Sequence, residues 1–346
     1  MKNIICIVGN PNCGKTTLFN ALTGSKQEVG NWPGVTVDKK TGRYSFEGNE
    51  VEIVDLPGIY SITPASTSGE DERIARDYIL TDEAQAVINI VDASNLERNL
   101  YLTAQLIEMR VPMVVAVNML DIAKNHKIEV DLKALQQALG CPVVGLVAAR
   151  EQGVRELQKT VAEFLKNPQL PPMNVSFDER IEKAREAITQ GLRKEGVERP
   201  EWFALQLVEG APGIEDKLPA EAYAKVKKIV DEVNAAYDGD ADIVVADARY
   251  SFVNRITQKA LIRRGEMSNT MTDKIDRVVL NRWLGLPIFL AIMYVMFLFT
   301  QNLGGAFIDF FDITFAGIFV DGFGRLLEAV GTPEWLKVLL ADGIGG

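Results

Sequence analysis

The chain has 346 residues, of which 47% are hydrophobic and 24% charged, with a formal net charge of −10. That length accommodates two or three globular domains, and the acidic balance argues against a nucleic-acid partner held by the overall field. Three scattered cysteines (Cys6, Cys13, Cys141) are too few for a disulfide framework and read as reduced packing residues. The single histidine, His126, excludes a His-rich metal site.

Asn3 to Val8 is a short apolar run that reads as a buried strand, with no secretory signal ahead of it. Gly9-Asn10-Pro11-Asn12-Cys13-Gly14-Lys15-Thr16 follows and matches G-x-x-x-x-G-K-[ST], the phosphate-binding P-loop. Thr17 to Leu22 then opens a helix. Glycine lets the backbone wrap closely round phosphate, and N–H groups at the positive helix end face the anion. Lys15 supplies a charge to the outer phosphates, and the Thr16 hydroxyl can ligate Mg²⁺.

Gly24 to Lys40 is polar, contains Gly30, Pro33 and Gly34, and reads as an exposed loop. Its stretch Gly34-Val35-Thr36-Val37-Asp38 is expected at the nucleotide. Thr36 is the natural second Mg²⁺-binding hydroxyl, with Thr41 as its competitor. Thr41 to Phe46 and Val51 to Val54 read as strands joined by a hairpin turn at Glu47-Gly48-Asn49. Asp55-Leu56-Pro57-Gly58 comes at a strand end, where Asp55 can hold Mg²⁺ through water and the Gly58 N–H can reach a γ-phosphate. Residues 59–70 are rich in Ser, Thr and Pro and are expected to be mobile. A helix is predicted over Asp71–Leu80.

Ala86 to Val91 is continuously apolar, as a strand covered on both faces must be. Asn95–Met109 reads as a helix and Met113–Val117 as another buried strand. Asp131–Leu139 reads as a helix with Asp131 as its cap. Pro142–Val147 and Val154–Leu165 supply a last strand and helix. This alternation predicts a mostly parallel sheet with helices on both faces, with ligand loops at the strand C-terminal ends.

Asn118-Met119-Leu120-Asp121 resembles the guanine-reading pattern N-K-x-D. The Asp121 carboxylate can accept from both N1–H and the exocyclic amine of guanine, which adenine does not offer. Asn118 would brace neighbouring loops. Val147-Ala148-Ala149-Arg150 resembles S-A-[KR], the last base-side loop. Met119 stands where a Lys usually packs along the base, and Ala148 where a Ser supports the loop. Both departures predict a looser pocket and some use of ATP. Ile59 follows Gly58 where a water-positioning Gln often stands, so hydrolysis is expected to be slow or assisted. Asn12 is a candidate K⁺ ligand beside the phosphates, its shell completed by backbone carbonyls of Gly30, Asn31 and Trp32 if that loop folds over. Glu70, Asp71 and Glu72 are further candidates for orienting water.

Asn167-Pro168 and Leu170-Pro171-Pro172 mark a boundary. Residues 1–168 then form the nucleotide-binding domain and 169–270 a small all-helical domain. Its helices are expected over Asp178–Glu195, Glu201–Val208, Ala220–Tyr237 and Asp242–Arg264. Residues 271–282 form a polar connector. From Trp283 to Ile308 there is no charged side chain, and about 20 such residues span a bilayer. Lys274, Arg277 and Arg282 precede this segment and Asp309, Asp312 and Asp321 follow it, which places the N-terminal part in the cytoplasm. Residues 309–346 read as amphipathic and membrane-associated. Their end, Gly343-Ile344-Gly345-Gly346, reads as a truncation. The expected fold class is thus an α/β P-loop GTPase of Ras-like type, a small all-α domain and a transmembrane helix.

Taken together, G-N-P-N-x-G-K-T at 9–16, V-G-N-W-P-G-V-T at 29–36, D-L-P-G-I-Y-S at 55–61, V-D-A-S-N-L-E-R-N-L-Y-L at 91–102 and N-M-L-D at 118–121 resemble the ferrous iron transport protein B (FeoB) family. The resemblance covers the whole nucleotide-binding domain. The helical region resembles that family's guanine-dissociation-inhibitor-like domain by position and helical character. The resemblance implies a GTP/GDP switch of a bacterial inner-membrane Fe²⁺ uptake system, multi-pass in its full length. It also implies small accessory partners of the FeoA and FeoC type. Fe²⁺ would be the transported ion, held by none of the residues named here. Self-association through membrane spans and GTPase loops is a further expectation. Two rivals remain: a broader NTPase that also uses ATP, and a soluble-type GTPase of ribosome or tRNA biology. The acidic charge and the apolar segment count against the second.

Overall fold

The computed structural model describes residues 3–24, 27–63, 69–173, 175–263, 279–281 and 284–342. Contacts divide the chain into two units, Met1–Glu266 and Met267–Gly346.

The first unit begins with an α/β layer. Its strands are β1 (Asn3–Gly9), β2 (Gln27–Asn31), β3 (Asp38–Phe46), β4 (Asn49–Asp55), β5 (Ala86–Asp92), β6 (Met113–Asn118), β7 (Ile128–Val130) and β8 (Val143–Gly145). Its helices are α1 (Lys15–Thr23), α2 (Glu70–Leu80), α3 (Leu96–Glu108), α4 (Leu120–Asn125), α5 (Leu132–Leu139) and α6 (Val154–Phe164). Seven strands form one sheet in the order β2-β3-β4-β1-β5-β6-β8. Pairing is parallel from β4 through β8, and antiparallel at β2–β3 and β3–β4. This agrees with the expected mostly parallel sheet.

The period of two along β1 explains its unbroken apolar run. Cys6 and Val8 face one core together with Val54, Val87 and Val115, whereas Ile5 and Ile7 face the other with Ile53, Ile88 and Val114. The register pairs Ile7 with Asp55, Gly9 with Ile90, and Asp92 with Asn118. The strand ends carrying residues 9–16, 55–58 and 118–121 therefore open on the same edge. The hairpin at Glu47-Gly48 forms as expected, with φ of 49° and 82° at its two central residues, the left-handed pair that a two-residue turn requires. Asp131 caps α5 by accepting the N–H groups of Lys133 and Ala134.

Several expectations are corrected. Gln27–Asn31 is a strand rather than loop, zipped antiparallel onto Asp38–Gly42. It is an edge strand whose residues are mostly exposed, so no apolar alternation marks it. Residues 59–63 are anchored, because Ile59 and Ile62 are each only 1% exposed. The rest of the segment expected to be mobile includes 64–68, which lie outside the described residues.

Four helices follow: α7 (Glu179–Lys194), α8 (Pro200–Val208), α9 (Ala220–Ala236) and α10 (Ala241–Ala260). Asp178 caps α7 through the Arg180 N–H, and Pro200 occupies the first turn of α8. α10 ends at Ala260 rather than Arg264. Its continuation β9 (Leu261–Arg263) leaves the helix to pair antiparallel with β7, and the Asp131 N–H donates to the Ala260 carbonyl at 2.8 Å. Neither three-residue strand is long enough to show a pattern in sequence. The helical region packs on α3 and α5. It is tied there by Arg199 to Asp82 and to the Met109 carbonyl, and by Lys217 to Asp77.

The second unit contains a helix over Gly285–Phe315. It does not end at Ile308. Nothing between Ile308 and Phe315 breaks it, and Asp309 and Asp312 lie within it. Its large apolar side chains, Leu286, Phe289, Leu290 and Tyr294 among them, are exposed. Most of the expected connector, including Lys274, Arg277 and Arg282, lies outside the described residues.

Candidate nucleotide-binding site

At the C-terminal edge of the sheet a cleft of about 610 Å³ is walled by Asn10, Pro11, Asn12, Gly14, Lys15, Thr16, Thr17, Gly58, Asp71 and Met119. Its floor is the P-loop, whose path depends on Gly14. That residue has φ of 91°, and a Cβ there would stand 2.3 Å from Asn118 Nδ2. Asn12 is also left-handed, at φ of 65°. Alternating left-handed residues turn successive N–H groups toward one concavity, the geometry that cradles an anion. The N-terminus of α1 begins at Lys15, in the same place.

Lys15 Nζ lies 3.2 Å from Asp55 Oδ1, and both side chains are largely buried. Burial raises the Asp55 carboxyl above its ordinary value, and the neighbouring Lys15 ammonium opposes that rise. Gly58 lies against Pro11: a Cβ on it would meet the Pro11 backbone at 3.2 Å. The Ile59 N–H donates to the Gly9 carbonyl at 3.2 Å, which stitches the chain after Gly58 to the P-loop. The segment Leu56-Pro57 before it is held by the Leu56 N–H on the Ile7 carbonyl.

Asn118 performs the bracing its position predicts. Its Nδ2 donates to the Cys13 carbonyl at 3.0 Å and its Oδ1 accepts the Ala148 N–H at 2.9 Å. One buried side chain thereby fixes the P-loop and the loop Val147-Ala148-Ala149 at a set spacing. Met119 is left-handed, with φ of 62°, and precedes α4, which carries Leu120 and Asp121. Arg150 Nη2 lies 3.6 Å from Asp121 Oδ2. The carboxylate remains about one-third exposed.

The structure does not bring the 30–38 segment to this cleft. Gly30 pairs with Lys39 in the β2–β3 ladder. The Trp32 carbonyl accepts the Val35 N–H at 3.2 Å, and the Trp32 N–H donates to the Val37 carbonyl at 2.9 Å. The Trp32 ring is buried, edge-on to Tyr78 at 5.3 Å, with Lys39 Nζ 4.8 Å above it. Gly34, Val35, Thr36 and Val37 lie along this turn and Asp38 opens β3; none of them lines the cleft. The expected K⁺ shell of Asn12 with carbonyls of Gly30 and Trp32 is therefore not assembled here, because those residues are committed to strand and turn. Of the three acidic candidates for orienting water, Asp71 alone lines the cleft. Sequence reasoning missed Gln105, which holds residues 61–63 from α3. A glutamine set between Ala104 and Leu106-Ile107 was the only available signal.

The family model described as ferrous iron transport protein B matches residues 3–161, and that of the FeoB cytosolic helical domain matches 177–262. The chain belongs to the FeoB ferrous iron transport family. A GDP-bound point mutant of the S. thermophilus FeoB G-domain superposes with a TM-score of 0.68 at 36% identity, covering 76% of this chain and 100% of that one. The cytosolic domain of L. pneumophila FeoB superposes with a TM-score of 0.67 at 36% identity, covering 75% of this chain and 99% of that one. The Fe(2+) transporter FeoB of Legionella pneumophila strain Lens is 41% identical over 98% of this chain, and that of Escherichia coli strain K12 is 40% identical over all of it. The chain spans 44% of the length of each of these two FeoB relatives.

Proposed function

We propose that this chain is the GTP-hydrolysing switch of an Fe²⁺ uptake transporter, set on the cytoplasmic side of a bacterial inner membrane. The observation that carries the nucleotide reading is the Asn118 bridge. It fixes the phosphate cradle and the base-side loop in one rigid frame, the spacing a guanosine phosphate must fill. Asp121 reads the base, the P-loop N–H groups and Lys15 hold the phosphates, and the Gly58 N–H stands across the cleft for the outermost one.

The donor set fits Mg²⁺. Thr16, in the cleft wall, and Asp55, beside Lys15, would be its hard oxygen ligands. Thr36 would be the third. A Mg²⁺ ion held by these residues would supply positive charge against the phosphates. For Thr36 to reach the cleft, the turn at 32–37 must open and Trp32 leave Tyr78, so ordering by nucleotide is a remodelling of the β2–β3 edge. Asn12 stands at the cleft as one K⁺ ligand, and the same remodelling would free the Gly30 and Trp32 carbonyls. With Ile59 after Gly58, hydrolysis would be slow, and Asp71, in the cleft wall, would orient water.

The membrane assignment rests on the helix Gly285–Ile318, 34 residues long and apolar enough to cross a membrane. The excess of Lys and Arg before it puts the first unit in the cytoplasm. Accessory proteins of the FeoA and FeoC type, and self-association, belong to the same reading.

Phosphate release from GTP and from ATP, each measured in KCl and in NaCl, tests it. Preference for GTP with K⁺ stimulation is expected. Absence of release from either nucleotide sinks the hydrolysis assignment, and equal rates in the two salts remove Asn12 as a cation ligand. A second reading, a broader NTPase, is favoured by Met119 and Ala148. Equal use of ATP would select it.

A further inference from the structure

In the chain that follows Gly58, residues 61–63 are held by hydrogen bonds to one buried side chain. Gln105, in the last turns of α3, is 3% exposed. Its Oε1 accepts the Ile62 N–H at 2.9 Å, and its Nε2 donates to Ser61 Oγ and to Thr63 Oγ1, each at 2.9 Å. A buried primary amide is costly unless it is fully paired. These three bonds are what make Gln105 compatible with its place.

Three residues on, one turn along the same helix, Glu108 is 1% exposed and meets Arg249 of α10. Arg249 Nε lies 2.9 and 3.0 Å from the two Glu108 oxygens, and both its Nη atoms bond Glu209. Ser61, Thr63, Tyr101, Glu209 and Arg249 border one cavity of about 520 Å³. At the other end, the segment is tied to β1 by Ile59 on Gly9. A single turn of α3 therefore grips the phosphate-side chain with one residue and the helical region with another.

We propose that Gln105 is a positioning residue, paired through α3 with Glu108, that locks residues 61–63 so the phosphate-side loop and α10 move as one lever. The proposal rests on the nucleotide reading of the cleft. Movement of Gly58 toward a phosphate pulls on Ile62 and must strain or break the Gln105 bonds. A displacement of α10, acting through Arg249 and Glu108, shifts the same turn from the other side. Such coupling is reciprocal: whatever biases α10 changes nucleotide affinity by the factor with which nucleotide biases α10.

The test uses the full chain and three kinds of variant. Gln105→Met keeps the shape without the hydrogen bonds. Gln105→Glu keeps an acceptor for Ile62 and lets both hydroxyls turn to donate. Arg249→Met removes the ion cluster, and Arg249→Lys replaces it where the methionine variant fails to fold. Amide exchange at Ile62 and Thr63 is followed together with the dissociation rate of a fluorescent GDP analogue. Gln105→Met is expected to speed exchange at Ile62 by about tenfold, while exchange in β5 and β6 is unchanged. It is also expected to change analogue dissociation by about threefold or more, with Gln105→Glu restoring most of both effects. Combined with the Arg249 variant, the Gln105→Met effect on dissociation should shrink, since coupled sites are non-additive. Unchanged exchange at Ile62, or strict additivity with Arg249, overturns the proposal. Failure of the unmodified chain to bind the analogue would instead overturn the nucleotide reading, and the exchange readout at Ile62 would still judge the clamp.

Discussion

The P-loop and the 30–38 segment are the two walls expected to meet at a nucleotide, and they differ in what holds them. The P-loop is fixed from below by side chains it cannot escape. Asn118 fills the space where a Gly14 Cβ would go, Ile90 and Cys13 fill the space beside Gly9, and the pair Lys15–Asp55 closes the far end. The 30–38 segment is fixed by contacts that do not involve the cleft: a strand ladder at 27–31, a tight turn at 32–37, and Trp32 packed on Tyr78. One wall is built by exclusion and cannot rearrange without collapse. The other is held by a modest set of bonds that another partner can replace, which is the property a switch needs.

Breaking the built wall should have the largest effect. Asn118→Ala removes both bridging hydrogen bonds and leaves the Cys13 carbonyl and the Ala148 N–H buried without their partner. At roughly 1–3 kcal/mol for each of the two groups left unsatisfied, a loss of about 2–6 kcal/mol in unfolding free energy is expected, with guanine-nucleotide affinity falling alongside it. Denaturant unfolding and titration with a GDP analogue measure the two. A destabilisation below about 0.5 kcal/mol would show that the two loops keep their spacing without Asn118.

This contrast also explains how much was legible in the sequence. The sheet, its buried strands and the P-loop follow from apolar runs and glycine spacing, because local pattern and final position are the same thing there. The role of Asn118 was legible too, since a short amide between two loops has few other uses. β2, β7 and β9 were not, because exposed or three-residue strands are selected by their partners and not by their own sequence. The placement of Thr36 was not legible for the same reason. The loop sequence names a ligand type, whereas the Trp32–Tyr78 contact decides where the loop rests. Gln105 was invisible because its partners, Ser61 to Thr63, lie more than 40 positions away.

Loosening the switchable wall should have a smaller and opposite effect. Trp32→Ala removes the edge-on contact with Tyr78 and the Lys39 ammonium above the ring. Each contact is worth about 0.5–1.5 kcal/mol beyond the burial of the ring itself, and truncating a buried Trp costs about 3–5 kcal/mol in all, so the smaller, opposite effect is expected in nucleotide binding and not in global stability. Amide exchange should rise at Val35 and Val37 while α1 keeps its protection. If Trp32 restrains Thr36, release should also speed GTP-analogue association. Slower association with unchanged exchange would show that Trp32 belongs to the bound arrangement and not to the one it must leave.

The smallest effect probes how tightly the built wall is closed. Cys13 lies inside the P-loop, 2% exposed, and burial pushes its thiol up to about 11, the neighbouring Lys15 lowering it only in part. The thiolate is the reactive form, so at pH 8 the folded protein should hold almost all of Cys13 as unreactive thiol. Because the folded-state value lies above the ordinary one, labelling should quicken by about tenfold per pH unit as pH rises toward 11, and only if the fold persists. Cys6 and Cys141, pushed up to about 12 by burial, should stay slower still. Labelling with a maleimide at about pH 8, resolved by peptide mass, would show all three reacting on unfolding and none quickly in the native state. Fast reaction of Cys13 alone would mean that the P-loop opens by itself, and the distinction between a fixed wall and a switchable one would have to be redrawn around it.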